Sequence, residues 1–136
     1  MYKTIVAAFA FSEPGRAAVR AAVGLARHHG ARLHVFHALD YKLLHLSPDS
    51  QECSLACSEA EARFAADHGQ ELEGVDAVFV CRPADPAMGV CKLARDQGAD
   101  LLVIGVHQGK LARMSYTGIT IMEKSPCQVL LVPAKD

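Results

Sequence analysis

The sequence predicts a single α/β domain built on a parallel β-sheet. Three observations predict it: five short apolar segments typical of strands buried on both faces, helical patterns between them, and no internal repeat or linker. Strands that alternate with helices favour a layered domain with helices on both faces of the sheet. The chain has 136 residues, 51% hydrophobic and 21% charged, which suits one domain, residues 1–136, with its own core.

The first half of the chain predicts two strands and two helices. Lys3–Phe9 is a continuous apolar strand, and Ser12 then caps a helix that ends at Gly30. Arg32–Ala38 is the second strand, and residues 39–50 form a connecting loop. Ser50 begins a second helix, which runs to about His68 and is ended by Gly69.

The second half continues the alternation. Ala77–Cys81 is the third strand, and the helix that follows is opened by Asp85-Pro86 and closed by Gly98. Leu101–Val106, the most apolar segment, is the fourth strand, and residues 107–116 form a polar loop. The predicted chain ends with a short helix and a fifth strand, Gly118–Lys124 and Gln128–Val132.

Charge and hydropathy exclude several classes of function. The 14 basic and 15 acidic residues give a net charge of -1, without the clustered Lys and Arg that bind nucleic acid or anionic membranes. The apolar runs Ile5–Phe11 and Leu101–Val106 are too short for a membrane helix, and the first of them leads directly into a polar helix start instead of a cleavage site. We therefore expect a cytoplasmic protein with neither a nucleic-acid nor a membrane partner.

The cysteines and carboxylates predict neither a metal site nor a catalytic site. The five cysteines are odd in number and include no Cys-x-x-Cys pair, which fits free thiols. Cys53 and Cys57 share a helix face but lack the further ligands of a zinc site, and Cys81 and Cys91 are interpreted as packing residues. Ser12, Asp85 and Asp100 are interpreted as helix caps or strand starts, because none has a partner placed for catalysis.

Parallel sheets bind ligands beyond the carboxyl ends of their strands, where the strand order reverses. The loops after the first and fourth strands, Ala10–Glu13 and Gly105–Gly118, are therefore the candidate site.

At these two loops, and along most of its length, the chain resembles the universal stress protein family. The matching segments are Met1–Val6, Ser12-Glu13 with the alanine-rich helix, Asp85-Pro86-Ala87, residues 99–105 and residues 125–132. The resemblance implies a three-layer sandwich with a five-stranded parallel sheet in the order 3-2-1-4-5, of the adenine-nucleotide alpha hydrolase-like type. It also implies a regulatory or binding module of the stress response and not an enzyme.

One branch of that family binds ATP through a G-x2-G-x9-G-(S/T) motif and an Asp at the end of the first strand. Glycines at such a loop let backbone N–H groups approach phosphate. Carried onto this chain, the first and last glycines are Gly105 and Gly118, whereas Gln108 replaces the second glycine and Ala10 replaces the Asp. Ile119 replaces the hydroxyl residue, with Thr120 one place later.

The three replaced positions predict lost or weakened ATP binding. Each lost polar contact costs on the order of 1 kcal/mol, and together they reduce affinity roughly a thousandfold. We therefore expect no cofactor, the alternative being an ATP- or AMP-binding switch or slow ATPase. The remaining pocket would suit a small anion and would be lined by Ala10, Phe11, Ser12, Ala38, Gly105, His107 and Gly118.

Neighbouring loop residues could compensate for the lost contacts. Gly109 could supply the backbone approach to phosphate in a shifted loop, and the cations Lys110 and Arg113 could meet its oxygens. Solvated loop charges are the more common interpretation of such cations, and His107 is likewise more simply a surface histidine.

The closing strand predicts a homodimer. The family commonly pairs this strand across a two-fold axis, and its apolar residues would otherwise leave an exposed sheet edge. The edge residues are Val129, Leu130, Leu131 and Val132.

Overall fold

The computed structural model describes residues 1–39, 45–108 and 116–135. Five strands and four helices alternate along the chain: β1 (Thr4–Phe9), α1 (Glu13–His29), β2 (Arg32–Leu39), α2 (Gln51–His68), β3 (Ala77–Pro83), α3 (Pro86–Asp96), β4 (Leu101–His107), α4 (Tyr116–Lys124) and β5 (Gln128–Ala134). The five strands form one sheet in the order β3-β2-β1-β4-β5, with every neighbouring pair parallel. The predicted α/β class and strand order are therefore confirmed.

The helices begin and end where the sequence supplies capping groups. The Ser12 hydroxyl accepts a hydrogen bond from the amide of Gly15, which confirms Ser12 as the cap of α1. Ser50 and Asp85 cap α2 and α3 in the same way. Gly30 ends α1 in the left-handed conformation, with a φ of 65°. Gly69 instead remains right-handed, with a φ of -55°.

Two apolar clusters lie on opposite faces of the sheet. Alternate residues of β1 point to opposite faces, so Ile5 packs against α1 and Phe64 of α2 on one face. Val6 packs on the other face with Val90 of α3 and Ile121 of α4. Both clusters consist of buried side chains, which gives the three-layer arrangement. Within the described residues, no helix is long and apolar enough to cross a membrane.

Candidate functional site

β1 and β4 separate at their carboxyl ends. Ile5–Ala7 pair with Leu101–Val103, and beyond these residues β1 pairs only with β2, as far as Phe9. β4 continues beside β5 as far as His107. A cavity of about 380 Å³ lies between the separated ends. The order of the strands reverses here, at the position where sheets of this type bind ligands.

The cavity wall is mostly apolar. The ends of β1, β2 and β4 and the first turns of α1, α3 and α4 form it: Ala8, Phe9, Ala10, Ser12, Pro14, Gly15, Phe36, His37, Ala38, Pro86, Ile104, Gly105, Val106, His107, Thr117, Gly118 and Ile121. Four of these side chains can form hydrogen bonds, namely Ser12, His37, His107 and Thr117. The described part of the wall contains no Asp, Glu, Lys or Arg.

The structure brings six of the predicted site residues together on this wall. They are Ala10, Ser12, Ala38, Gly105, His107 and Gly118. Three others, Phe11, Gln108 and Thr120, are not among the residues that line the cavity. Gly109, Lys110 and Arg113 lie outside the described residues. The predicted contact of Lys110 and Arg113 with phosphate oxygens therefore stays a prediction.

Phe11 packs beside the cavity instead of lining it. Its ring meets those of Phe9 and His37 edge-on, with centroids 4.9 and 5.1 Å away. The guanidinium of Arg63 lies 4.0 Å from the Phe11 ring centroid, a cation–π contact. These rings belong to an aromatic cluster made of Phe9, Phe11, His37, Phe64, His68 and Phe79. Phe11 therefore packs among aromatic rings and does not line the cavity.

The turn after β1 brings backbone close to backbone. The amide of Ser12 donates to the carbonyl of Ala10 at 2.8 Å. A Cβ on Gly15 would overlap that same carbonyl oxygen of Ala10. The first turn of α1 can therefore sit directly against the end of β1. Ala10 presents only a methyl group at this edge of the cavity. A carboxylate here would give the cavity a negative charge and a hydrogen-bond acceptor.

Gly105 serves the packing of the sheet. A Cβ at this position would overlap the carbonyl oxygen of Pro14 in the first turn of α1. The missing side chain therefore lets α1 rest on β4. The sequence interpretation assigns this glycine to the approach of phosphate, whereas the structure gives it a role that needs no ligand.

His37 is a wall residue that the sequence interpretation missed. Its Nδ1 lies 3.1 Å from the carbonyl oxygen of Phe9, so Nδ1 carries the proton and donates, which leaves Nε2 as an acceptor. The pKa of His37 is lowered, and burial is the main cause. The nearby Arg63 also lowers this pKa, whereas the hydrogen bond to Phe9 raises it. The imidazole is therefore neutral at pH 7. The only sequence signal is its place at the end of β2, next to Ala38.

The start of α4 also differs from expectation. Ile119, predicted to face the phosphate position, points outward and is 46% exposed. Thr117 and Ile121 lie on the wall instead. The helix begins at Tyr116, before the predicted start at Gly118. Gln108, also outside the wall, is exposed and donates its amide to the carbonyl of Ala134 at 2.7 Å.

The described wall offers groups that can bind a ligand. Ser12 uses its hydroxyl oxygen as the acceptor of the α1 cap. Across residues 1–39, 45–108 and 116–135, no three His, Cys, Asp or Glu side chains are grouped so that they could hold a metal ion. An apolar cavity with a few hydroxyl and imidazole groups is suited to binding an organic molecule.

Comparison with known proteins relates the chain to one family. The model of the universal stress protein family matches residues 1–133. A Thermus aquaticus protein, named universal stress protein in the QAH/OAS sulfhydrylase 3′ region, is 30% identical over 97% of this chain and 99% of its own.

Solved structures share the fold. A universal stress protein in complex with cAMP superposes with a TM-score of 0.72, 22% identity and 97% coverage of both chains. The Archaeoglobus fulgidus universal stress protein in complex with dAMP gives a TM-score of 0.67 and 19% identity, over 97% of this chain and 98% of that one.

Proposed function

Because this chain belongs to the universal stress protein family, we propose that it is a regulatory binding module, and not an enzyme, in which ATP binding is lost or strongly weakened. The observation that carries the proposal is Ala10, which stands at the cavity edge where the ATP-binding branch of the family has an Asp. A methyl group cannot accept a hydrogen bond from a ribose or a base.

The chemistry of the wall supports the same proposal. Binding a triphosphate requires cations, a metal or several converging N–H groups to compensate its charge. The described wall has no charged side chain, and its histidine on β2, His37, is neutral. Apolar side chains such as Phe36, Ile104 and Ile121 favour a small ligand with a flat or apolar part.

A nucleotide-binding switch or slow ATPase is the alternative function. Two structural neighbours are described in complex with cAMP and with dAMP, and a cavity of about 380 Å³ has room for part of such a ligand. A nucleoside monophosphate carries less charge than ATP, so it depends less on cations in the wall. If the switch form of this alternative holds, the bound nucleotide is a monophosphate, whereas a slow ATPase must bind ATP.

Titration calorimetry with ATP, AMP and cAMP, with and without magnesium, separates these functions. We expect no heat of binding for ATP at roughly 100 µM protein. The double variant Ala10→Asp with Gln108→Gly should gain about tenfold or more in ATP affinity, because it restores one polar contact and one close backbone approach. A phosphate-release assay on the same samples should give the rate of buffer alone.

The control variant is Ala62→Asp, which adds the same carboxylate at an exposed position of α2 and should leave ATP affinity unchanged. Micromolar ATP binding by the unmodified protein would overturn the proposal. AMP or cAMP binding alone would establish the alternative. A double variant that gains no affinity would mean that Ala10 and Gln108 are not the cause of the loss.

We further propose that the protein is a homodimer through β5. Among the described residues this strand pairs with β4 alone, which leaves its outer edge without a strand partner there. Leu130 on β5 is 37% exposed. Tyr116, Ile119 and Met122 form an exposed apolar stripe at every third position of α4, the helix that precedes β5 in the chain. A two-fold partner would cover both features.

We place the protein in the cytoplasm. All five cysteines are free thiols in the structure, which suits a reducing compartment.

A further inference from the structure

Two cysteines far apart in the sequence meet where α2 crosses β3. Cys57 lies on α2 and Cys81 on β3, and the thiol of Cys57 donates to the carbonyl oxygen of Cys81 at 3.2 Å. Both residues are half-buried, so small molecules can reach them from the surface.

We propose that Cys57 and Cys81 form a reversible disulfide, which makes this pair a site of oxidation by peroxides. A disulfide requires two sulfurs that can approach to about 2.05 Å without moving the backbone. The sulfur of Cys57 already lies against the backbone of Cys81, so rotation of the two side chains is the movement that the bond requires. β3 lies at one edge of the described sheet, next to β2, and it can therefore accommodate a small adjustment.

The chemistry balances with hydrogen peroxide as oxidant. The thiolate of Cys57 attacks one peroxide oxygen, the O–O bond breaks, and a sulfenic acid and hydroxide form. That hydroxide takes the proton of Cys81 and becomes water, and the Cys81 sulfur then attacks the sulfenic sulfur and displaces hydroxide, giving the S–S bond. The displaced hydroxide and the proton first lost by Cys57 form the second water. In sum, two thiols and one peroxide give one disulfide and two waters; the thiol sulfurs lose two electrons, which the peroxide gains. A thiol reductant reverses the change.

The surroundings set the order of the two steps. Burial, the hydrogen bond with Cys57 and the neighbouring charges of Cys57 and Glu61 raise the pKa of Cys81 to about 12. Cys81 therefore remains a thiol at neutral pH and reacts slowly with peroxide itself. Cys57 is the residue that reacts first, and Cys81 is the resolving partner.

The other thiols are less suited to this reaction. Cys53 is 1% exposed and Cys91 is 2% exposed, so peroxide reaches neither directly. Cys127 is half-buried, and the Ser125 hydroxyl lies 3.7 Å from its sulfur. Oxidation should therefore be selective for the pair that links α2 to β3.

The bond would restrain the part of the molecule that backs the cavity. α2 also carries Arg63 and Phe64, which contact Phe11 and Phe9 of the aromatic cluster. Joining α2 to the edge strand closes a loop of the chain and removes freedom from the unfolded state. We expect the oxidised protein to melt roughly 5–10 °C higher than the reduced protein.

The test is mild oxidation of the folded protein with hydrogen peroxide, alkylation of the remaining thiols, and peptide mapping without reductant. Before alkylation, we expect the mass of the intact protein to fall by the mass of two hydrogens, and we expect dithiothreitol to restore it. Fragment spectra must assign the link, because trypsin leaves Cys53 with Cys57 on one peptide and Cys81 with Cys91 on another. The latter two stay together because trypsin does not cut the bond between Arg82 and Pro83.

Three variants complete the experiment. Cys57→Ser and Cys81→Ser should abolish the mass loss and the rise in Tm, whereas Cys127→Ser should keep both. A map of the oxidised protein that shows Cys57 overoxidised while Cys81 stays free, or Cys57 linked to Cys53, would refute the proposal. The map uses the unmodified chain, so it remains decisive even if a variant fails to fold.

Discussion

At the scale of single residues, the absence of a side chain at Gly105 determines how closely α1 approaches the sheet. The carbonyl oxygen of Pro14 occupies the space that a Cβ would need. Both partners are constrained, because Pro14 lies in the first turn of α1 and Gly105 in the middle of the β4–β5 pairing. Neither can move without displacing a whole element.

We therefore predict that Gly105→Ala lowers the free energy of unfolding by about 1–3 kcal/mol, the usual effect of overpacking. Gly24→Ala is the matched control, since Gly24 lies within α1 and its Cβ would meet no atom within 4 Å. That control should raise the stability by about 0.5–1 kcal/mol through helix propensity. Urea unfolding curves measure both. Equal stability of Gly105→Ala and the unmodified protein would show that α1 can shift away from β4.

At the scale of elements, Asp100 joins the start of β4 to the start of β1. Its carboxylate accepts hydrogen bonds from the amides of Thr4 and Lys3, at 2.9 and 2.8 Å. These two hydrogen bonds lower the pKa of Asp100, and the bond from Thr4 has the larger effect. The charged carboxylate thus closes the amino-terminal end of the β1–β4 pair, opposite the end that opens into the cavity.

The lowered pKa predicts a dependence of stability on pH. A carboxyl whose pKa is lower in the folded state contributes stability that is fully present above its ordinary pKa and is lost as pH falls through the lowered value. The Tm advantage of the unmodified protein over Asp100→Asn should therefore be present at about pH 7 and shrink toward about pH 2.5. Asp67→Asn, at an exposed position of α2, serves as the control. A difference in Tm that stays constant with pH would contradict the prediction.

The sequence predicts every element in its correct order, because buried strands and amphipathic helices leave separate periodic patterns. The ends of elements are less well predicted. β3 runs on to Pro83 and β5 through Pro133, whereas the patterns end these strands at Cys81 and Val132. Both are edge strands, where a proline can continue the strand because its missing N–H would face away from the sheet.

The site is predicted less completely than the fold. Position beyond the strand ends identifies Ala10, Ala38 and Gly105 as wall residues, since topology alone places them there. The direction of a side chain depends on contacts with residues that are distant in the sequence. Phe11 packs in the aromatic cluster, and on α4 Thr117 lines the cavity whereas Ile119 is exposed.

At the scale of the whole molecule, the sheet has two edges with comparable apolar exposure. Leu130 on β5 is 37% exposed and Val78 on β3 is 36% exposed. Pairing through β5 predicts that Leu130→Lys yields a monomer, because the substitution buries an uncompensated charge in the interface. Val78→Lys, on the opposite edge, should remain a dimer. Sedimentation velocity at roughly 50 µM measures the mass; an unmodified protein that sediments as a monomer would exclude the dimer.

The contact between Gly105 and Pro14 also limits what a sequence motif can reveal about relatives of this protein. In this chain a glycine at this position is required for α1 to rest on β4, whether or not a nucleotide binds. Its presence therefore carries no information about ligands. The informative position is the one occupied by Ala10, which lies at the cavity edge and can change its side chain without disturbing a packed element. We therefore expect the residue at the position of Ala10 to be a better guide to nucleotide binding than the first glycine.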